Sequence, residues 1–175
     1  MKALTLYQPH AQLVALGVQK IVTRSGSTKY RGPLAIHAGK ETFYTEHPDG
    51  NVVDTLGVLT DLSFTFLGRH DLFGAVVATC ELVDVVPIVP WALAHNGCVY
   101  VCEFGAECDA TLWYASSHKD LRFGGTAEDI SDQLFYGDFR LGRYAWIFER
   151  IQQIEPVRAK GRRGLWEWPG NKGAA

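Results

Sequence analysis

The sequence lacks the features of secreted, membrane-spanning and nucleotide-fold proteins. No run of residues approaches the ~18 apolar residues that a membrane helix needs. The N-terminus does not have the basic segment and the following long apolar segment that make up a secretory signal. Phosphate loops, dinucleotide-binding fingerprints and nucleophile elbows are also absent. We therefore predict a cytoplasmic protein with no membrane partner.

Cysteine is scarce, and its spacing is not that of a metal site. The sequence has four cysteines, Cys80, Cys98, Cys102 and Cys108. Without a secretory signal they are expected to be reduced thiols rather than a disulfide framework. The last three, taken with His95, do not reproduce the paired spacing of a zinc knuckle. We predict no metal and no cofactor.

Apolar and aromatic residues, in contrast, are plentiful. The 175 residues are 47% hydrophobic and include 9 Phe, 7 Tyr and 5 Trp, which suffices for the packed core of one domain. Alternating or β-branched patterns predict strands. These strands are Ala3–Tyr7, Gln19–Arg24, Pro33–Ala38, Gly74–Val86 and Arg143–Ile154.

Helices are expected to be few and short. Pro9 and Gly17 bracket an apolar segment from His10, as the first position and the C-terminal cap of a helix would. A second helix is expected within Val52–Leu67. The combination predicts an α+β domain, most simply a small β-barrel with peripheral helices. We predict one domain over residues 1–170, an inserted segment at about 95–138, and a frayed tail at 171–175.

Charge is distributed unevenly along the chain. Residues 1–40 carry a net charge of +6 without a single acidic residue, and residues 156–175 carry +4. Residues 41–155 carry −12. If the two basic ends meet, they form a face that attracts phosphate. The alternative is that both ends are simply solvated.

Three titratable residues in the predicted strands have two interpretations each. Glu81 and Asp84 either face solvent from an antiparallel strand or are buried and need a basic partner from the N-terminal segment. His37 lies in an apolar strand, where a hydrogen-bonded core histidine is expected more often than a catalyst.

Four segments, in order along the chain, resemble the ASCH domain family, a branch of the PUA-like β-barrel superfamily. They are LTLYQP, the stretch from Gly17 to Arg24, YRGPLAIHA, and GDFRLGRYAW with GLWEW. The resemblance implies a PUA-like barrel that binds RNA or nucleotides. One bacterial branch of the family hydrolyses N4-acetylcytidine, and another is associated with ribonuclease activity.

The family signature, G-x-K-x-x-E-x-R, is altered in this chain. It falls on Gly17, Gln19, Val22 and Arg24, so the lysine and the acidic residue are missing. His10 and Gly26 stand where similar sequences often have tryptophan. These departures imply a changed or lost activity on a retained fold.

Binding of single-stranded nucleic acid or of a nucleotide is the function we predict. The expected site is a basic cleft between the signature segment and the basic C-terminal loop. The planar guanidinium of arginine can donate paired hydrogen bonds to a phosphate or to a base edge. A side-chain amide can hydrogen-bond to a base edge, and aromatic rings can stack on unpaired bases. The predicted binding residues are Gln19, Arg24, Tyr7, Lys29, Arg31, Arg162, Arg163 and Trp166. For Trp166 the alternative is a core position, and for Arg24 it is a structural ion pair.

Two other functions stay open. A hydrolase of modified nucleosides or of RNA would use Lys20, Thr23 and His10, because Gln19 and Val22 cannot act as a general acid or base. On a regular strand, however, Lys20 and Thr23 point away from the face that the signature residues occupied. The third function is protein binding through the acidic 41–155 surface.

Overall fold

The computed structural model describes residues 1–42, 45–46, 52–53, 73–90, 98–102, 111–115, 128–130, 133 and 136–170. No helix in these ranges has the length and apolar character that crossing a membrane requires. The elements are β1 (Lys2–Gln8), α1 (His10–Ala15), β2 (Ile21–Arg24), β3 (Gly32–Thr42), β4 (Thr45–Glu46), β5 (Val52–Val53), β6 (Ala75–Pro90), β7 (Cys98–Cys102), β8 (Thr111–Ala115), β9 (Glu128–Asp129), β10 (Tyr144–Arg158) and β11 (Leu165–Glu167).

The chain divides into two compact units. Unit 1 comprises Met1–Gln19, Gly32–Glu81 and Glu149–Ala175, and unit 2 comprises Lys20–Arg31 and Leu82–Phe148. The long strands β6 and β10 therefore contribute residues to both units. That residues 1–170 form a single domain stays a prediction.

Unit 1 is built on a parallel pair of strands. β1 pairs with β3 in a register that places Thr5 opposite His37, and β11 pairs antiparallel with the other edge of β1. β6 follows β3 in the sheet order, and β4 and β5 form a separate two-stranded ladder. β3 is buried continuously from residue 34 to 39, as a parallel strand covered on both faces should be. One apolar cluster of this unit contains Ala3, Ala35, Val76, Trp166 and Trp168.

The first helix ends as the sequence predicts. α1 packs against β1 and β3 and buries five of its six residues. Gly17 follows it with φ +74°, and its N–H donates to Val14 O at 2.8 Å. A residue with a side chain would be strained at this φ, so glycine suits the end of the helix.

Unit 2 is an antiparallel assembly apart from one parallel contact. β2 pairs with the first half of β10, while β7, β8 and β9 form a meander whose first strand lies parallel to β6. Its core cluster contains Ile21, Val86, Ile88, Val99, Phe139, Ala145 and Ile147. β7, β8 and β9 lie within the predicted insertion, whose other residues are mostly outside the described ranges.

The prediction of a small α+β fold rich in strands is confirmed. In neither unit do the described strands pair into a closed barrel, so the PUA-like barrel stays a prediction. The helix predicted over Val52–Leu67 is wrong at its start, because Val52 and Val53 pair with β4 as β5. The other residues of that segment, and the tail at 171–175, lie outside the described residues.

Candidate nucleic-acid interface

The residues predicted for binding and catalysis fall in both units, and each set is described within its own unit. Those in unit 1 are Tyr7, His10, Gln19, Arg162, Arg163 and Trp166. Those in unit 2 are Lys20, Thr23, Arg24, Lys29 and Arg31. The cleft that would join the two sets stays a prediction.

One face of the β1–β3 pair in unit 1 carries a polar cluster beside the tryptophan core. Side chains alternate along a strand, so Thr5 shares its face with Tyr7, and the pairing brings His37 beside Thr5. The indole Nε1 of Trp166 donates to Thr5 Oγ1 at 3.1 Å. The Trp166 and His37 rings meet edge to face, with centroids 5.7 Å apart.

This cluster supports residues 159–164, which we call the basic loop. The loop connects β10 to β11 and has the sequence Ala-Lys-Gly-Arg-Arg-Gly. His37 Nε2 donates to the carbonyl oxygen of Ala159 at 3.0 Å, and the Ala159 N–H donates to Gly74 O at 3.1 Å. Both backbone groups of Ala159 are therefore held, which anchors the loop where it leaves β10.

The middle of the loop rests directly on the imidazole. A Cβ atom built on Gly161 would clash with His37 Cε1, lie 2.7 Å from His37 Nδ1 and lie 3.0 Å from Thr5 Oγ1. Only glycine permits this close approach of the backbone. The loop is thus seated on His37 and Thr5 along its first half.

Three cations project from the basic loop. Lys160, Arg162 and Arg163 are exposed, and no carboxylate of the described residues lies within 4 Å of them. Two other basic residues of this unit are already neutralised, because Lys2 pairs with Glu167 at 2.6 Å and Arg150 pairs with Glu81. The loop therefore presents a cationic surface whose charge is available to an anion.

Tyr7 is an exposed ring on the same face of the sheet. It is 49% exposed, and Gly39 on β3 lies beside it. A Cβ atom on Gly39 would lie 3.5 Å from Thr5 Cγ2 and 3.8 Å from Tyr7 Cδ1. The aromatic ring and the basic loop therefore flank Thr5 on one surface, an arrangement that can stack a base and hold its phosphate.

Trp166 lies in the core rather than at the surface. It is 8% exposed, and its indole nitrogen is occupied by Thr5. This placement favours the structural alternative for Trp166, and Tyr7 becomes the stronger candidate for stacking.

His37 is the buried core histidine that the sequence predicts. It is 2% exposed, and burial lowers its pKa, while the hydrogen bond to Ala159 raises the pKa by less. Because a carbonyl only accepts, Nε2 carries the proton of the neutral ring. Nδ1 is buried and has no hydrogen-bond partner among the described atoms.

His10 and Gln19 lie together, as two residues of the predicted site. His10 Nδ1 lies 3.0 Å from Gln19 Oε1 and donates to it, because an amide oxygen only accepts. Gln19 is buried at 1% exposure, so its amide does not present an open surface to a base.

The unit 2 candidates are held mostly by contacts within that unit. Lys20 is exposed, and its backbone N–H donates to Gln133 Oε1 at 2.9 Å. Thr23 Oγ1 accepts from the Asp138 N–H at 3.0 Å. Lys20 and Thr23 thus make separate structural contacts within unit 2, and the hydrolase alternative stays a prediction.

Asp138 was missed by the sequence interpretation. It pairs with Arg140 at 2.6 Å and with Arg143 at 3.4 Å. The hydrogen bond from Arg140 is the main reason that the pKa of Asp138 is lowered to about 2. The segment GDFRLGR contains these three charges at short spacing, which is the signal that could have identified the cluster.

The three basic candidates of unit 2 differ in their surroundings. Arg24 is half-buried on β2, opposite Tyr144. Lys29 is exposed in the following loop. Arg31 donates to Asp84 Oδ1 at 3.3 Å and to three backbone carbonyls, those of Thr28, Tyr30 and Val85.

The carboxylate that Arg31 contacts answers a question left open by the sequence. Asp84 is 2% exposed, so the interpretation with a basic partner from the N-terminal segment is the correct one for Asp84. Glu81, in unit 1, is half-buried and pairs with Arg150.

The described side chains include neither a reactive thiol nor a candidate metal site. Burial raises the pKa of the Cys80 thiol to about 12, which makes it a poor nucleophile. No group of three His, Cys, Asp or Glu residues in the described part of the chain is placed to hold a metal ion. The side chains of His95, Cys98, Cys102 and Cys108 lie outside the described residues.

The comparisons with known proteins leave the family unassigned. No protein-family model matches the chain, and no curated protein matches it significantly. The family resemblance carried by the four sequence segments stays a prediction.

Proposed function

We propose that this protein is a PUA-like domain of the ASCH type that binds single-stranded nucleic acid or a nucleotide. In this proposal the basic loop contacts phosphate and Tyr7 stacks on an unpaired base. The observation that carries the proposal is how the three cations of the loop are exposed, paired and supported. They are exposed, no described carboxylate neutralises them, and the backbone that bears them is seated on His37.

Phosphate binding explains this arrangement better than solvation alone. A solvated loop needs charge but no buried support, whereas the basic loop is fixed through Ala159 and Gly161. A preformed cationic surface loses less conformational freedom when it binds a polyanion. Arg162 and Arg163 can each offer a planar fork to phosphate oxygens, and Lys160 adds a point charge.

The test is a titration of fluorescently labelled single-stranded RNA and DNA, followed by anisotropy at several salt concentrations. If the three loop cations each neutralise one phosphate, log Kd should change with log salt with a slope of magnitude ~2.1. Affinity should then fall ~18-fold between 50 and 200 mM salt. Anisotropy is preferable to intrinsic fluorescence because Trp146, Trp166 and Trp168 are buried.

A charge-matched pair of variants makes the test specific. The triple variant Lys160→Ala, Arg162→Ala, Arg163→Ala should remove most of the salt dependence. Its control, Lys2→Ala, Arg140→Ala, Arg150→Ala, removes the same formal charge from cations that already pair with carboxylates. Equal losses in both variants, or no binding by the wild-type protein at 50 mM salt, would count against the proposal.

The stacking contact has its own signature. Tyr7→Leu should weaken single-strand binding at least ~5-fold, from the ~1–3 kcal/mol that base stacking contributes. The salt slope should not change, because no charge is removed. Tyr7→Phe retains the ring and should bind like the wild-type protein. A duplex of the same length should be insensitive to both changes.

A further inference from the structure

We infer that His37 is a positioning residue for the basic loop, and that it acts through Ala159 and Gly161. The inference rests on the proposed function for its consequence in binding. Its consequence for loop order can be measured without any ligand.

The loop has little in its own sequence to keep it ordered. Two of its six residues are glycines, and Gly164 has φ +69°. Glycine has the largest conformational freedom to lose on folding. Three long cationic side chains add rotamer entropy that must be lost when they converge on one ligand. External support is therefore needed if the cations are to be presented together.

His37 supplies this support from a rigid position. It lies on β3 in parallel pairing with β1, and it is 2% exposed. Its ring packs edge to face against Trp166, whose nitrogen is bound to Thr5. A ring fixed in this way gives the backbone of the basic loop a rigid surface to pack against.

Two contacts transmit the position of the ring to the loop. The Nε2–H group holds the Ala159 carbonyl at 3.0 Å, immediately before Lys160. The Cε1–Nδ1 edge touches the backbone at Gly161, immediately before Arg162. Each contact is therefore adjacent in sequence to one of the cations that it positions.

Gly161→Ala tests the second contact. The added methyl cannot fit against His37, so the loop must shift away from the imidazole. Affinity for a single-stranded oligonucleotide should fall at least about tenfold, which is the lower limit expected when three side chains are no longer held in position by the loop. The salt slope should stay near the wild-type value, because all three cations remain. Gly26→Ala is the matched control, since a Cβ there has no atom within 4 Å.

His37→Leu and His37→Gln test the first contact. Leucine removes the donor to Ala159, and glutamine can restore an N–H near the position of Nε2. Binding should be lost with leucine and largely rescued with glutamine. A residue that only filled the core would not show this order, because leucine is the more apolar replacement. If His37→Leu does not fold, as judged by circular dichroism, the affinity of Gly161→Ala decides whether the loop depends on its contact with His37.

Limited proteolysis with trypsin separates failure of this inference from failure of the proposed function. Trypsin cleaves after lysine and arginine, so Lys160, Arg162 and Arg163 report directly on loop order. Cleavage in the loop should be faster in Gly161→Ala and His37→Leu than in the wild-type protein, His37→Gln or Gly26→Ala. Equal cleavage rates in all folded variants would overturn the positioning role. Absence of oligonucleotide binding by the wild-type protein would overturn the proposed function alone.

Discussion

Replacing Arg31 by alanine tests whether this guanidinium serves folding or binding. The sequence places Arg31 among the phosphate contacts, but the structure surrounds it with acceptors from its own unit. Its Nη2 donates to Asp84 Oδ1, and its Nη1 donates to the carbonyl oxygens of Thr28 and Tyr30 at 2.8 and 2.9 Å. We expect Arg31→Ala to lower stability and to leave nucleic-acid affinity unchanged.

The size of the loss follows from the burial of Asp84. Its side chain is 3% exposed, and it keeps a hydrogen bond from the Val85 N–H at 2.9 Å when Arg31 is removed. Removing one partner of a buried pair costs ~3–5 kcal/mol. Protonating an ordinary aspartate at pH 7 would cost ~4 kcal/mol, which limits the loss. The Arg31 side chain is 36% exposed and the contact is a long 3.3 Å. We therefore expect a smaller loss of about 2–3 kcal/mol, which reaches only the lower limit of that range.

Urea denaturation and thermal melting would measure this change. A loss of 2–3 kcal/mol corresponds to a decrease in Tm of about 4–12 °C for a chain of this size. Asp84→Asn removes the buried charge and retains the acceptor for Val85. In the Arg31→Ala, Asp84→Asn double variant, the two losses should therefore be less than additive. An unchanged Tm together with a smaller salt slope for RNA binding would refute the reasoning and make Arg31 a phosphate contact.

Three further predictions concern packing and pH. Trp166→Phe should cost at least ~1 kcal/mol in urea denaturation, the net value of the lost hydrogen bond to Thr5. The lowered pKa of His37 means that the unfolded state binds more protons, so stability should fall as pH decreases below ~6.5. His37→Gln should flatten that part of a pH series of urea curves. The lowered pKa of Asp138 gives stability that is present above pH 3.8 and decreases towards pH 2. Asp138→Asn should remove this acid sensitivity, and an unchanged acid titration would contradict the ion pair with Arg140.

Local patterns in the sequence determined many of the elements. The alternating segments Ala3–Tyr7 and Arg143–Ile154 correspond to β1 and to the first part of β10, which begins at Tyr144. The β-branched run after Gly74 lies within β6. Gly17 ended the first helix because its backbone conformation disfavours a side chain. These features depend on neighbours within a few residues, so a sequence pattern is enough to predict them. The helix expected from Val52 is wrong at its first two residues, where pairing with β4 overrode local preference.

The sequence by itself also determined where charge lies, but only the tertiary structure decided which charges are neutralised. Arg31 and Asp84 are 53 residues apart, and His37 and Ala159 are 122 residues apart. Such contacts depend on the order and register of strands, which alternation does not specify. The physical reason is that folding buries some ionic groups, which then need partners from distant segments. The cations of the basic loop have no such partner among the described residues, and this distinguishes them from Arg31 as candidates for binding a ligand.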